Sequence, residues 1–320
     1  IWCGSFQLAW NLVRDTIVKE PIRLSNAQTI ADQLNASPFT TNDLASGTYY
    51  ATAGVPSNDF VKSLKNDIRD RFPRLSSSLD NLHAASDGLL AFAAIEVTSK
   101  FTMPYLQNPT PLEFTDSSGR TTNLSSFGVL SKFDGRSSIE LRKQPAILYS
   151  HAPSDDPETT YGRDAFELDE FILDLCKNAD PQILIAMVPR KESLAAILKH
   201  IDERTAAFRK LEDYQYKSTM QGLDTLMVPD MNWQISHRFK ELEGQDKRVE
   251  NTNGKGLWLQ EALQDISFTL DRSGARVSST SWARYAAAPR RFAVTKPFLI
   301  AVRERKSQNP FFVMWVDNTE

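Results

Sequence analysis

Cysteines and long apolar runs are scarce in this sequence. The 320 residues include two cysteines, Cys3 and Cys176, so no framework of disulfides holds the chain together. One bridge and two free, buried thiols are both compatible with the sequence. The longest apolar stretches, residues 88–95 and 183–188, are much shorter than the roughly 20 residues that a bilayer-spanning helix needs. We therefore expect a soluble protein with no membrane partner.

An excess of charge of one sign is also missing. Lys and Arg total 37 against 40 Asp and Glu, and the net charge is −3, so nucleic acid is not an expected partner. No amphipathic helix with a basic face is present, which removes support for membrane docking. The chain begins at Ile1 rather than at a methionine. The compartment therefore stays open, and one option is a secreted protein whose signal peptide has been removed.

The short motifs that mark common enzyme and metal sites are absent. The sequence contains no GxGxxG or P-loop, no HExxH, HxH or CxxC, and no GxSxG. His151 with Asp155, Asp156 and Glu158 could ligate a metal, but a solvated loop is the favoured interpretation of these residues. We expect no enzyme activity, no cofactor and no metal site. An enzyme whose site is assembled from residues distant in sequence stays an alternative.

Apolar periodicity predicts helices in the first quarter of the chain. Apolar residues recur with helical spacing in residues 5–18, where Ser5 is a candidate N-cap, and again in 26–34 and 57–72. Residues 36–56 are rich in Ser, Thr and Gly, which is typical of a loop with short elements. These patterns predict a helical N-terminal part that covers residues 1–87.

Strand patterns dominate after Gly88. The predicted strands cover residues 89–97, 112–114, 121–124, 146–149, 165–168, 183–188, 224–229, 257–259, 265–271, 298–303 and 310–316. One long helix is predicted at 192–211. Because the helices come first and the strands do not alternate with helices, we expect a single α+β domain over residues 1–320. Its part 88–320 would be rich in strands, with mainly antiparallel sheets.

A long connection of small and polar residues covers 275–288, and connections of this length are usually functional or disordered. The flanking sequences DISFTLDRSG and FAVTKPFLIAVRERKSQNPFFVMWVDN resemble the C-terminal region of the serpins, the serine protease inhibitor family. In that region a strand leads through a glycine-marked hinge into the reactive centre loop and two closing strands. Further segments match the family in order, namely LLAFAAIEVTSKFTMPYL, PLEFTDSSGRTTNL, AFELD, ILIAMVPRKESLAAILKHI and TLMVPDMNWQISHRF. The resemblance covers roughly residues 88–318.

The resemblance implies a serpin-like α+β fold with a large, mainly antiparallel central sheet, a second sheet and N-terminal helices. It also implies an exposed loop over residues 275–291, through which a peptidase or another protein would bind. The hinge of this loop would consist of Gly274, Ala275, Arg276 and Val277. The candidate scissile or partner-contact residues would be Arg284, Ala288, Pro289, Arg290 and Arg291.

Three departures from the family pattern argue against inhibition by loop insertion. No stretch before Gly88 resembles the Asn- and Ser-Pro-containing helix beneath the family's central sheet. An inward-facing Arg276 would be a buried, unpaired charge that costs several kcal/mol, and Pro289 makes the bond after Ala288 a poor peptidase site. We therefore expect a non-inhibitory or atypical serpin-like protein that presents the loop. A working serine or cysteine peptidase inhibitor that acts by loop cleavage and insertion is the alternative.

Overall fold

The computed structural model describes residues 1–73, 79–80, 82–84, 88–96, 100–130, 136–151, 166–273 and 289–318. The helices within these ranges are α1 (Gly4–Leu12), α2 (Gln28–Asn35), α3 (Asn58–Arg71), α4 (Arg136–Lys143), α5 (Leu194–Phe208) and α6 (Tyr214–Lys217). The first of them, α1, continues as a π-helix over Val13–Val18. The three N-terminal helices and the long helix predicted from periodicity are confirmed. Helices α4 and α6 have no counterpart in the sequence prediction. None of the described helices is long and apolar enough to cross a membrane.

Serine side chains cap the starts of two predicted helices but not of the first. The hydroxyls of Ser57 and Ser193 each accept a hydrogen bond from the backbone N–H three residues further on, at the starts of α3 and α5. Helix α1 begins after Cys3, whose side chain makes no capping hydrogen bond. The predicted cap, Ser5, is wrong, because this residue lies within the helix and its buried hydroxyl accepts from Gln264 instead.

The largest sheet is antiparallel throughout and has six strands. In spatial order these are β1 (Trp2–Cys3), β18 (Phe312–Val316), β17 (Phe298–Arg303), β11 (Gln182–Met187), β10 (Glu170–Asp174) and β8 (Ala146–His151). Nearly every residue of the central strands β11 and β17 is buried, because α5 packs on one face and the main core lies against the other. Strands that are covered on both faces carry continuous apolar sequences. The strands predicted over residues 183–188 and 298–303 are therefore confirmed.

A second, mixed sheet has five strands. They are β4 (Leu106–Gln107), β7 (Ser126–Val129), β12 (Thr225–Pro229), β16 (Arg290–Ala293) and β9 (Phe166–Glu167). Strands β12 and β16 are parallel, whereas β12 and β7 are antiparallel. The backbones of β7 and β12 approach so closely that a Cβ atom at Gly128 would lie 1.8 Å from the carbonyl oxygen of Leu226. Glycine is therefore required at this position.

The remaining strands form three small sheets. One contains β2 (Tyr49–Gly54), β3 (Leu89–Ile95) and β14 (Leu259–Glu261), another pairs β13 (Met231–Arg238) with β15 (Leu263–Leu270), and the predicted hairpin joins β5 (Leu112–Thr115) and β6 (Thr121–Leu124). The prediction of a loop over residues 36–56 missed strand β2. The sequence prediction also missed strands β1, β4, β7, β10, β13 and β16. The N-terminal part therefore supplies two strands, β1 and β2, as well as its helices.

Candidate functional site

Strands β3 and β15 separate from one another in a way that leaves one edge of each unpaired. Strand β3 pairs with β2 from Leu90 to Ile95, but on its other side it pairs with β14 at Leu89 and Leu90 alone. Strand β15 follows β14 directly and pairs with β13 over eight residues. Within the described residues, no backbone hydrogen bond joins the rest of β3 to β15. We call the short ladder of β3 and β14, together with the two strands that diverge from it, the fork.

Helix α1 lies beneath the fork and contacts both of its arms. Trp10 and Val13 pack in one apolar cluster with Leu89 of β3 and Ala262, which separates β14 from β15. On the β15 side, Gln264 Nε2 donates to the Cys3 carbonyl oxygen and to Ser5 Oγ, both at 3.0 Å. No stretch of sequence before Gly88 resembles the family's helix beneath the central sheet. In the structure, helix α1 nevertheless lies under these strands.

The polar side chains of α1 that face the interior are hydrogen-bonded. Gln7 Nε2 donates to Asn11 Oδ1 at 2.8 Å and to the Leu34 carbonyl at 2.7 Å, and Asn11 Nδ2 donates to the Phe39 carbonyl at 2.8 Å. Buried amides with hydrogen-bonded side chains fix the position of a helix, because displacement would leave them unpaired. The support beneath the fork is therefore a specific polar contact as well as an apolar one.

Strand β15 is followed by residues 271–273 and then by residues 274–288. Hydrogen bonds fix residues 271–273 to the core and to one another. The Arg272 carbonyl accepts a hydrogen bond from the Tyr105 N–H at 3.0 Å, and Asp271 Oδ1 accepts from the Ser273 N–H at 2.7 Å. Tyr105 is itself 1% exposed and donates its hydroxyl to the Leu175 carbonyl. Burial raises the pKa of Tyr105 far above its ordinary value, so this hydroxyl stays protonated and continues to donate.

The other end of this segment is fixed by a largely buried ion pair. Arg290 is the first residue of β16, and its guanidinium binds Asp224 Oδ2 through Nε at 3.1 Å and Nη2 at 2.7 Å. Its backbone N–H donates to Asp224 Oδ1 at 2.8 Å, and its Nη1 and Nη2 donate to the carbonyls of Lys217 and Thr219. The Asp224 side chain is 2% exposed and that of Arg290 12%. Arg290 therefore joins the start of β16 to residues 217–224.

These contacts change the predicted extent of the exposed loop. Arg290 and Arg291 belong to a strand, with Arg291 opposite Thr225 in the five-stranded sheet. The prediction that the loop continues to Arg291 is therefore wrong for these two residues, because sheet pairing and the Asp224 ion pair remove Arg290 from the surface. Pro289 lies just before the strand and is half-buried. The predicted hinge and cleavage residues Gly274, Ala275, Arg276, Val277, Arg284 and Ala288 lie outside the described residues and stay predictions.

The structure decides between the two cysteine alternatives, and it describes only part of the candidate metal group. Cys3 and Cys176 are both free thiols, and Cys176 is buried. Of the metal candidates, His151 is exposed at the end of β8, whereas residues 155, 156 and 158 lie outside the described part. Among the residues that the structure describes, no group of three or more His, Cys, Asp or Glu side chains could hold a metal ion.

Solved structures with the same architecture identify the fold. A thermophilic serpin, tengpin, in its native state matches with a TM-score of 0.50 and 12% identity, covering 98% of this chain and 93% of that one. Serpin48 from the insect Tenebrio molitor matches with a TM-score of 0.50 and 12% identity, covering 99% and 91%. The fold is serpin-like. Native protease nexin-1 with heparin gives a TM-score of 0.46 at 14% identity over 82% of this chain, which spans 66% of that protein. No protein-family model and no curated protein matches the sequence.

The serpin-like fold confirms the order of elements that the sequence resemblance implied. Strands β15, β17 and β18 follow one another as the quoted C-terminal motifs predicted, whereas β16, which precedes β17, was not predicted. Sequence reasoning missed the Asp224–Arg290 pair and the Gln264–Ser5 contact, whose members lie 66 and 259 residues apart. A single carboxylate or amide has no local pattern around it, so no signal in the sequence could have identified either contact.

Proposed function

We propose that this protein is a non-inhibitory, serpin-like binding protein that presents residues 274–288 to a peptidase or another protein, and that it is not an enzyme. The observation that carries this proposal is the fixation of both ends of the segment. One end continues from the β13–β15 pair and is bonded to Tyr105, and the other enters the five-stranded sheet through Arg290. A segment of this length between two fixed ends can offer its side chains to a partner surface.

The composition of the segment favours presentation over insertion into the fork. An inserted strand would alternate its side chains between core and solvent. Arg276 would then need to face solvent, since a buried, unpaired guanidinium costs several kcal/mol. Peptidases would also cut poorly before Pro289. Arg276 and Arg284 are the residues in the segment at which a trypsin-like enzyme would cleave.

A second candidate function, peptidase inhibition by loop insertion, is favoured by the geometry of the fork. Strands β3 and β14 are parallel, so a segment that reverses direction after β15 would run antiparallel to both β3 and β15. Each of these strands has an unpaired edge there in the described part of the chain. Strand addition at an exposed edge gains main-chain hydrogen bonds without requiring a particular sequence.

Cleavage of the segment separates the two candidates. The protein is incubated with trypsin-like and chymotrypsin-like serine peptidases and with a papain-like cysteine peptidase, and the products are examined on denaturing gels and by thermal melting. We expect nicking by the trypsin-like enzyme after Arg276 or Arg284, no covalent complex, and a melting midpoint within a few degrees of that of the intact protein. The double variant Arg276→Gln, Arg284→Gln, which lacks both arginines of the segment and should resist this cut, is the matched control.

Two results would contradict the non-inhibitory proposal. One is a peptidase complex that survives denaturation and has the summed mass of both proteins. The other is a rise of tens of degrees in the melting midpoint after cleavage, because about 1 kcal/mol moves the midpoint by only roughly 2–4 °C in domains of about 150–250 residues. An Arg276→Ser variant tests the reason given, since it should gain such a rise if the arginine charge is what prevents insertion.

A further inference from the structure

An open cavity of about 350 Å³ lies at the closed end of the fork. It lies beside the residues that immediately precede β3 and β14, and its lining includes Val55, Gly88, Arg248, Lys255, Leu257 and Trp258. This volume is within the range of small-molecule sites in proteins, roughly 300–1,000 Å³. We call this cavity the fork pocket.

Two cationic side chains of the fork pocket are not neutralised by the described residues. Arg248 donates its Nε–H to the Gln245 carbonyl at 2.8 Å, and its two Nη atoms make no hydrogen bond or ion pair with the described part of the chain. Lys255 is exposed and has no ion pair with any described residue. The neighbouring Lys247, by contrast, is paired with Asp246 at 2.8 Å. The pocket therefore presents positive charge to a ligand.

Val55, Leu257 and Trp258 supply the apolar part of the pocket wall, which Gln245 and two glycines complete. Val55 is 51% exposed, which makes it one of the few large apolar side chains of the described surface to be so exposed. The Trp258 indole lies over Gly88, where an added Cβ atom would be 3.5 Å from Trp258 Cε2. Gly88 also has a φ of +86°, a conformation that glycine adopts without strain. A flat apolar group could pack against Val55 and Trp258 while an attached anion reached the two cations.

We propose that the fork pocket binds a flat, amphipathic anion of the aromatic carboxylate class. The ring system packs on Trp258 and Val55, and the carboxylate lies between Arg248 and Lys255. The Trp258 carbonyl accepts the Leu89 N–H at 2.9 Å, directly beside the first residue pair of the ladder that joins β3 to β14. Ligand that fixes Trp258 therefore stabilises the closed end of the fork.

Calorimetric titration of the full chain with 2-naphthoate tests the site. The uncharged 2-naphthamide has the same ring system, and we expect it to bind at least about tenfold more weakly, since it lacks the charge-assisted hydrogen bonds. The double variant Arg248→Gln, Lys255→Gln should weaken 2-naphthoate binding by a similar factor. Lys199→Gln, an exposed lysine on α5, should leave it unchanged. Equal affinities for acid and amide, unchanged binding by the double variant, or no binding at millimolar 2-naphthoate would each overturn the proposal.

Amide hydrogen exchange measures the effect on the fork. Saturating 2-naphthoate should slow exchange of the Leu89 amide severalfold, because its acceptor is the Trp258 carbonyl. Exchange at Arg209, the C-cap of α5, where the helix end opens locally without global unfolding, serves as the reference and should not change. A saturated pocket with unaltered exchange at Leu89 would refute the coupling to the fork.

Discussion

Replacing Asp224 with asparagine removes the charge that holds the C-terminal end of residues 274–288. The two carboxylate oxygens accept four hydrogen bonds, three from Arg290 and one from the Gln221 N–H at 2.7 Å. Removing one member of a buried ion pair costs about 3–5 kcal/mol. Because Arg290 keeps 12% exposure and two carbonyl acceptors, we expect the lower end, about 3 kcal/mol. This is a large share of a total stability of about 5–15 kcal/mol.

Urea denaturation followed by tryptophan fluorescence measures this loss, provided that the denaturant slope is unchanged. The matched control is Asp213→Asn, because Asp213 pairs with Lys217 at 3.0 Å on the surface with both side chains about half exposed. Exposed pairs contribute about 0–1 kcal/mol. Limited trypsin digestion supplies a second readout, since cleavage after Arg290 should appear in Asp224→Asn and be absent from the parent protein. Similar small losses in both variants would refute the assignment of Arg290 as a structural residue.

Two further predictions concern a close backbone approach and a buried carboxyl group. Gly128→Ala should yield no soluble, cooperatively melting protein, because the new Cβ atom would lie 1.8 Å from the Leu226 carbonyl oxygen. The control Gly119→Ala has open space at its Cβ position and a φ of +84°, so its free energy of unfolding should fall by only about 1–2 kcal/mol. Glu304 is 4% exposed, and its burial, followed by the nearby Asp180 charge, raises its pKa above its ordinary 4.5. The stabilising contribution of the protonated Glu304 is thus fully present below pH 4.5 and is lost as the pH rises through the raised pKa. Urea titrations across this pH range should therefore show the free energy of unfolding falling more steeply for the parent protein than for Glu304→Gln. Parallel curves for the two proteins would contradict this.

The elements that sequence patterns predicted are those whose burial follows a local period. Helix α5 has its apolar residues at helical spacing, and β11 and β17 are continuous apolar runs because both of their faces are covered. The hairpin of β5 and β6 was predicted from its turn, in which Asp116 Oδ1 accepts the N–H groups of Ser118 and Arg120. In each case the residues that decide the structure are close together in the sequence.

Strand β2 and the contacts at the fork depend on residues that are far apart in sequence. The sequence of β2, YYATAG, contains two alanines and a glycine, which are poor strand formers. Its residues are half-buried, and the strand is defined by its pairing with β3, which lies beyond α3 in the chain. The Gln264–Ser5 contact likewise joins residues from opposite ends of the sequence. Tertiary contacts of this kind override local propensity, so a reading of local patterns assigned residues 36–56 to a loop.

The free edges of the fork favour insertion of residues 274–288, whereas Arg276 within that segment opposes it. The free energies of these two effects are similar in size. Each backbone hydrogen bond gained along the free edges of β3 and β15 contributes about 0.5–1.5 kcal/mol, so several such bonds are comparable with the cost of one buried, unpaired guanidinium. Strand alternation places either Arg276 or both Ala275 and Val277 toward the core. With Arg276 inward the charge offsets the hydrogen bonds, whereas with Arg276 outward the inward residues are small and apolar. The melting midpoint of the cleaved parent protein therefore distinguishes a presenting protein from an inserting inhibitor, and the same measurement on Arg276→Ser shows whether the arginine charge is the reason.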